Sequence, residues 1–126
     1  MTIAHVALWT ADLERSRQFY TTYFEAVASG RYHNTVRQFS SYFLAFASGA
    51  RLELMQQPEL PPAGRVPRLG YAHLAFATGS PAAVRALTER LRAADYFVLS
   101  EPRTTGDGYF ESVVADPDGN LVEITV

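Results

Sequence analysis

Two stretches of the chain share both a pattern and a histidine: Ile3-Ala4-His5-Val6-Ala7-Leu8-Trp9 and Tyr71-Ala72-His73-Leu74-Ala75-Phe76-Ala77. Side chains of a strand alternate between faces, so His5 shares a face with Ile3, Ala7 and Trp9, while Ala4, Val6 and Leu8 point the other way. The second copy sets His73 with Tyr71, Ala75 and Ala77 against an all-apolar face of Ala72, Leu74 and Phe76. The spacing persists downstream. His5 to His73 is 68 residues, Gly49 to Gly119 is 70, and Glu53 to Glu123 is 70. A nearly constant offset over half the chain means that one unit is written twice, and that whatever it builds has two halves.

The pattern along the chain says what the unit is. In the first half, a strand ending at Thr10 is followed by Asp12, a helix cap, and by Leu13, Phe19, Tyr20, Tyr23 and Phe24 at helical spacing. A weak strand over 26–32, a polar loop over 34–39 and strands over 41–47 and 50–56 complete it, the last two joined at Ser48-Gly49. In the second half, Ser80-Pro81 opens a helix whose face is Val84, Leu87, Leu91 and Ala94. Strands over 96–100, 109–115 and 121–126 follow, the last two joined by Asp116-Pro117-Asp118-Gly119, which suits a type I turn. Residues 57–70 hold four prolines and two glycines and read as a linker. The expectation is an α+β fold, a single domain over 1–126 built from a β-α-β-β-β module at 1–56, a linker at 57–70 and a second module at 71–126.

Composition excludes several classes of partner. With 126 residues, 48% of them hydrophobic, the chain has the material for one modest core that leans on a partner subunit. The formal charge is −2, and the 11 basic residues are all arginines scattered singly, so neither a nucleic-acid footprint nor a polybasic membrane anchor is expected. The absence of cysteine rules out disulfides and thiolate metal sites and fits a reducing compartment. No basic n-region, long apolar run or cleavage site opens the sequence, so the expected location is cytoplasmic.

Each module carries one glutamate in a strand of apolar neighbours, Arg51-Leu52-Glu53-Leu54-Met55 and Leu121-Val122-Glu123-Ile124-Thr125. The neighbours must face the helices, so Glu53 and Glu123 face the side the histidines face. Two imidazoles and two carboxylates form a nitrogen and oxygen set suited to Ni(II), Co(II), Fe(II), Mn(II) or Zn(II), with water completing the shell. Without a cation, two converging carboxylates repel, and desolvation favours protonating one at a cost of several kcal/mol by order of magnitude. Trp9 and Tyr71 share the histidine faces and could wall a substrate pocket. Arg51 shares a face with Glu53 and either holds an anionic substrate or pairs with the glutamate. Gly106-Asp107-Gly108 reads as a hairpin turn, and His33 as solvated.

His5 followed by Thr-Ala-Asp-Leu at 10–13, His73 within Ala-His-Leu-Ala, and Asp-Pro-Asp-Gly-Asn-Leu-Val-Glu-Ile at 116–124 give the whole chain a pattern that resembles the vicinal oxygen chelate superfamily, which includes glyoxalase I, bleomycin-resistance proteins and ring-cleaving dioxygenases. The resemblance implies two βαβββ modules curling into a half-barrel sheet around a metal, with His5, Glu53, His73 and Glu123 as ligands. It also implies a homodimer and a small-molecule substrate. In the glyoxalase I reaction that it implies, a metal-dependent lyase or isomerase converts an α-keto aldehyde thiol adduct through an enediolate, with Glu123 as the proton shuttle and Glu53 as a second base. Glutathione-dependent members carry arginine four residues after the first histidine and asparagine four after the first glutamate; here those positions are Trp9 and Gln57, so glutathione does not follow as the thiol. Two other activities remain open: a drug-sequestering protein of the bleomycin-resistance kind, and an Fe(II) dioxygenase, against which Glu53 stands as a fourth ligand.

Overall fold

A computed structural model describes residues 1–62 and 69–126. The chain divides into two compact units, Met1–Pro62 and Ala63–Val126. Residues 63–68 of the expected linker lie outside the described residues. Among those described, no helix is long and apolar enough to cross a membrane.

The first unit runs β1 (His5–Trp9), α1 (Leu13–Tyr23), β2 (Val27–Ala28), β3 (Tyr32–Asn34), β4 (Phe39–Ala45) and β5 (Arg51–Gln56). Its sheet is ordered β1-β5-β4-β2, with β3 also on β4; β1 lies parallel to β5 and the other pairs are antiparallel. Asp12 starts α1 by accepting the Arg15 backbone N–H at 3.0 Å, satisfying one of the free amides of the first turn. Leu13, Ser16, Phe19 and Tyr20 form the buried face of the helix, which packs on β4 and β5. Leu44, Leu52 and Leu54 are its buried counterparts in the sheet. A further tie joins β4 to α1: the Tyr42 hydroxyl donates to Glu14 at 2.7 Å. That bond, with one from Arg17, holds the Glu14 carboxyl below its ordinary range.

The second unit runs β6 (His73–Ala77), α2 (Pro81–Ala93), β7 (Val98–Thr104), β8 (Phe110–Ala115) and β9 (Leu121–Thr125), in the sheet order β6-β9-β8-β7. Again the first strand lies parallel to the last. Ser80 accepts the Ala83 N–H, and Pro81 takes the first turn, where its missing N–H removes nothing. Val84, Thr88 and Leu91 are buried on α2, as are Val114, Val122 and Ile124 on the sheet. The polar member of this core is paired: the Thr88 hydroxyl donates to the Val84 carbonyl and meets the Ser112 hydroxyl, both at 2.7 Å.

The fold is therefore mixed α and β, with two helices and two sheets among the described residues, and the repeat reaches into backbone conformation. Gly49 and Gly119 have φ of 88° and 87°, and just past the two helices Glu25 and Asp95 have φ of 56° and 64°. Both helices thus end through a left-handed residue, the position that glycine usually fills.

The single strand expected over 26–32 is instead two short ones, β2 and β3, each pairing separately with β4, so the first unit has one strand more than the expected module. Two boundaries also differ for physical reasons. Strand β4 begins at Phe39, inside the expected loop, because Ser40 and Ser41 are buried and pair in register with His33 and Tyr32; the Ser40 hydroxyl also meets His33 Nδ1 at 2.8 Å. Strand β7 extends to Thr104 through Pro102, which a central strand would exclude. It lies at the sheet edge, and its register shifts between Ser100 and Arg103. The Asp116 turn forms as read, with the Gly119 N–H on the Asp116 carbonyl at 3.0 Å and the Asp116 carboxylate accepting from the Asp118 and Asn120 amides.

Candidate functional site

Each unit places its histidine and glutamate by the same register. In unit one, β1 and β5 align His5 with Arg51 and Ala7 with Glu53, so the imidazole and carboxylate are diagonal neighbours on the face opposite buried Leu52 and Leu54. His5 Nε2 lies 3.9 Å from a Glu53 carboxylate oxygen. In unit two, β6 and β9 align His73 with Leu121 and Ala75 with Glu123, and the corresponding distance is 3.6 Å. The glutamate side chains are 17% exposed in both pairs, while the imidazoles are 42% and 45% exposed, so each carboxylate is partly desolvated behind an open histidine.

The donor chemistry of each pair fits a divalent cation. Both separations are too long for an imidazole–carboxylate hydrogen bond, yet they lie within the span of two metal–ligand bonds of about 2.0–2.2 Å each. Among the described residues, no three His, Asp or Glu side chains are gathered as a metal-binding group; each unit presents two donors.

The surroundings of the pairs differ. On the His5 face, Phe43 lies directly across from Glu53 and meets the His5 ring edge-on at 5.4 Å. The Arg51 guanidinium sits over the same Phe43 ring at 4.6 Å. Trp9 is 44% exposed and meets Phe39 edge-on, and Tyr32 also approaches Phe39. Tyr71 lies before the start of β6 and is 97% exposed, so the strand alternation that put it on the His73 face does not reach it.

Glu111 on β8 is a neighbour that the residue pattern did not single out. Strands β8 and β9 pair Val113 with Glu123, and Glu111, two residues before Val113, shares that face. Burial pushes the Glu111 carboxyl above its ordinary range; the charge of Glu123 and a hydrogen bond with it push the same way. The signal was available: the Asp116 turn fixes the β8–β9 register, and counting back from it sets Glu111 diagonally beside Glu123.

A pH effect follows. Glu111 binds its proton more tightly in the fold than in the unfolded chain, where a glutamate titrates near about 4.3, so stability falls as pH rises through the interval above that value. In chelator-treated protein, Glu111→Gln should melt above wild type at pH 7, the difference closing as pH falls below about 4. Parallel melting profiles across that range would contradict the upward shift of the Glu111 carboxyl.

A profile described as Glyoxalase/Bleomycin resistance protein/Dioxygenase superfamily matches residues 2–124. The chain belongs to this superfamily. It is 32% identical over 125 residues to the uncharacterised protein YqjT of Bacillus subtilis (strain 168), a match covering 95% of this chain and 94% of that protein. Among solved structures it is similar to a glyoxylase/bleomycin resistance protein/dioxygenase domain from Frankia sp. EAN1pec, with a TM-score of 0.85, 20% identity, and 100% and 97% of the two chains covered. It is also similar to the trypanothione-dependent glyoxalase I of Leishmania major, with a TM-score of 0.80, 23% identity, and 99% and 86% covered. At these identities the structural likenesses are likenesses of fold, and they extend over the whole superfamily domain.

Proposed function

We propose that this member of the superfamily is a metal-dependent lyase or isomerase of the glyoxalase I kind, acting on an α-keto aldehyde thiol adduct or a similar substrate with two neighbouring oxygens. The observation that carries the reading is the duplicated pair: a histidine and a partly buried glutamate at 3.9 Å and 3.6 Å, in the same register of two separate sheets. His5, Glu53, His73 and Glu123 would hold a divalent ion, one pair from each module, the modules coming from one chain or from two copies in a homodimer. Ni, Co, Zn, Fe and Mn are all compatible with this donor set.

When bound, such an ion supplies Lewis acidity to two adjacent substrate oxygens. The chain supplies the proton transfer. Glu123 takes the proton from the carbon beside the carbonyl and returns it to the neighbouring carbon, with Glu53 as the second base. His5 and His73 would act as holding groups, each presenting a ring nitrogen beside its glutamate. Trp9 offers an indole face to the apolar part of the substrate.

A second reading has an observation of its own. Trp9, Phe39 and Tyr32 make a partly exposed aromatic run, with ring centroids at 6.1 and 6.2 Å, the kind of surface on which a flat drug stacks in a sequestering protein. One experiment separates the two. Protein purified without chelators should carry about one equivalent of divalent metal per four-donor set and turn over hemithioacetals of methylglyoxal in a screen of thiols. Failure to take up any of the five metals would leave the sequestering reading alone.

A further inference from the structure

The two modules keep their histidines and glutamates in common and differ in what stands beside them. At the 70-residue offset, Phe43 and Arg51 of the first module correspond to Val113 and Leu121 of the second. Val113 pairs with Glu123 and Leu121 with His73, as Phe43 pairs with Glu53 and Arg51 with His5. The module therefore folds without an aromatic ring or a cation at these places. What the first module gains from them is chemical: an exposed guanidinium, laid over the Phe43 ring at 4.6 Å, beside the His5–Glu53 pair.

A guanidinium resting over a ring keeps its N–H groups available, and its planar fork matches a carboxylate in two parallel hydrogen bonds. Glu53 lies two residues along on the same face and would be the obvious internal partner. It approaches His5 instead, and among the described residues no carboxylate is within ion-pair distance of Arg51. We infer that Arg51, braced by Phe43, is a specificity-determining residue that selects substrates carrying a carboxylate close to the reacting oxygens. This rests on the four donors forming the reaction site. It sets the charged arm of the substrate at the first module, since the second has leucine and valine at those positions.

The test uses a matched pair of stable product-like probes, S-lactoyl-3-mercaptopropionic acid and its neutral amide, with binding to the metal-loaded full chain read by calorimetry. Wild type should bind the acid about tenfold or more tightly than the amide. Arg51→Gln should abolish the preference by weakening the acid alone, and Arg51→Lys should restore part of it, as a point charge without the fork. Metal content and melting temperature, followed in all variants, should stay at wild-type values, because Arg51 is neither a donor nor a core residue. Equal binding of acid and amide by wild type, or a preference that survives Arg51→Gln, would overturn the inference. Those results leave metal uptake and hemithioacetal turnover untouched. Conversely, a carboxylate preference lost in Arg51→Gln but unaccompanied by turnover would refute the proposed reaction and keep the ligand class.

Discussion

Replacing Glu123 by glutamine is expected to lower turnover of a hemithioacetal by about 10²–10⁴-fold while the protein keeps its metal. Glutamine preserves the size of the side chain and a carbonyl oxygen able to act as a ligand, but it cannot accept and return a proton. The structure narrows what else the substitution disturbs. Glu123 is flanked in β9 by Val122 and Ile124, both fully buried on the other face, so the strand stays anchored whatever happens on the exposed side. Its contacts are with His73 and Glu111, and a glutamine still serves as a partner for both. Steady-state kinetics beside elemental analysis decides the matter. A variant that keeps both metal and turnover would remove Glu123 from proton transfer and pass the role to Glu53, whose own glutamine variant is the natural comparison.

The largest expected loss of stability comes from Phe19→Ala, about 3–5 kcal/mol. Phe19 is fully buried on α1, and its ring meets Tyr20 at 5.0 Å, Phe24 at 5.4 Å and Tyr23 at 5.8 Å. Those neighbours belong to the same helix end and its cap, and Phe24 closes the turn through its N–H on the Tyr20 carbonyl at 3.1 Å. Truncation would thus leave a void ringed by large side chains that cannot collapse together without unwinding the helix end, which places the change towards the upper part of that range. Urea unfolding should show a lower midpoint with an unchanged slope. A loss below about 1 kcal/mol would mean that the cluster repacks and that the helix is not held by this ring.

Much of this could be read before any coordinates. The parity argument fixed the faces of β1, β5, β6 and β9, because Leu52, Leu54, Val122 and Ile124 alternate cleanly with the glutamates and are buried as alternation requires. The caps at Asp12 and Ser80 located both helices, since each offers a side-chain oxygen to an amide three residues on. Legibility failed where polar residues are buried in pairs. Ser40 and Ser41 look like loop until their partners on β3 are known, and Glu111 looks like a solvated strand residue until the register sets it beside Glu123. Arg51 shows the same limit: its sequence neighbours allow an ion pair with Glu53, and only the position of Phe43, eight residues away and on another strand, turns the guanidinium elsewhere. Cross-strand pairing is a property of the sheet, which local pattern does not contain.

The irregular strand β7 has a consequence for how the protein behaves in concentrated solution. It borders its sheet, and a bare strand border is a template onto which foreign extended chains can zip by main-chain hydrogen bonding. Pro102 supplies no amide hydrogen there, its neighbours Glu101 and Arg103 are charged and exposed, and the kinks around Ser100 break the ladder that an incoming peptide would need. This border is therefore a poor seed for fibrillar growth, a protection built from the same residues that blurred the strand in the sequence.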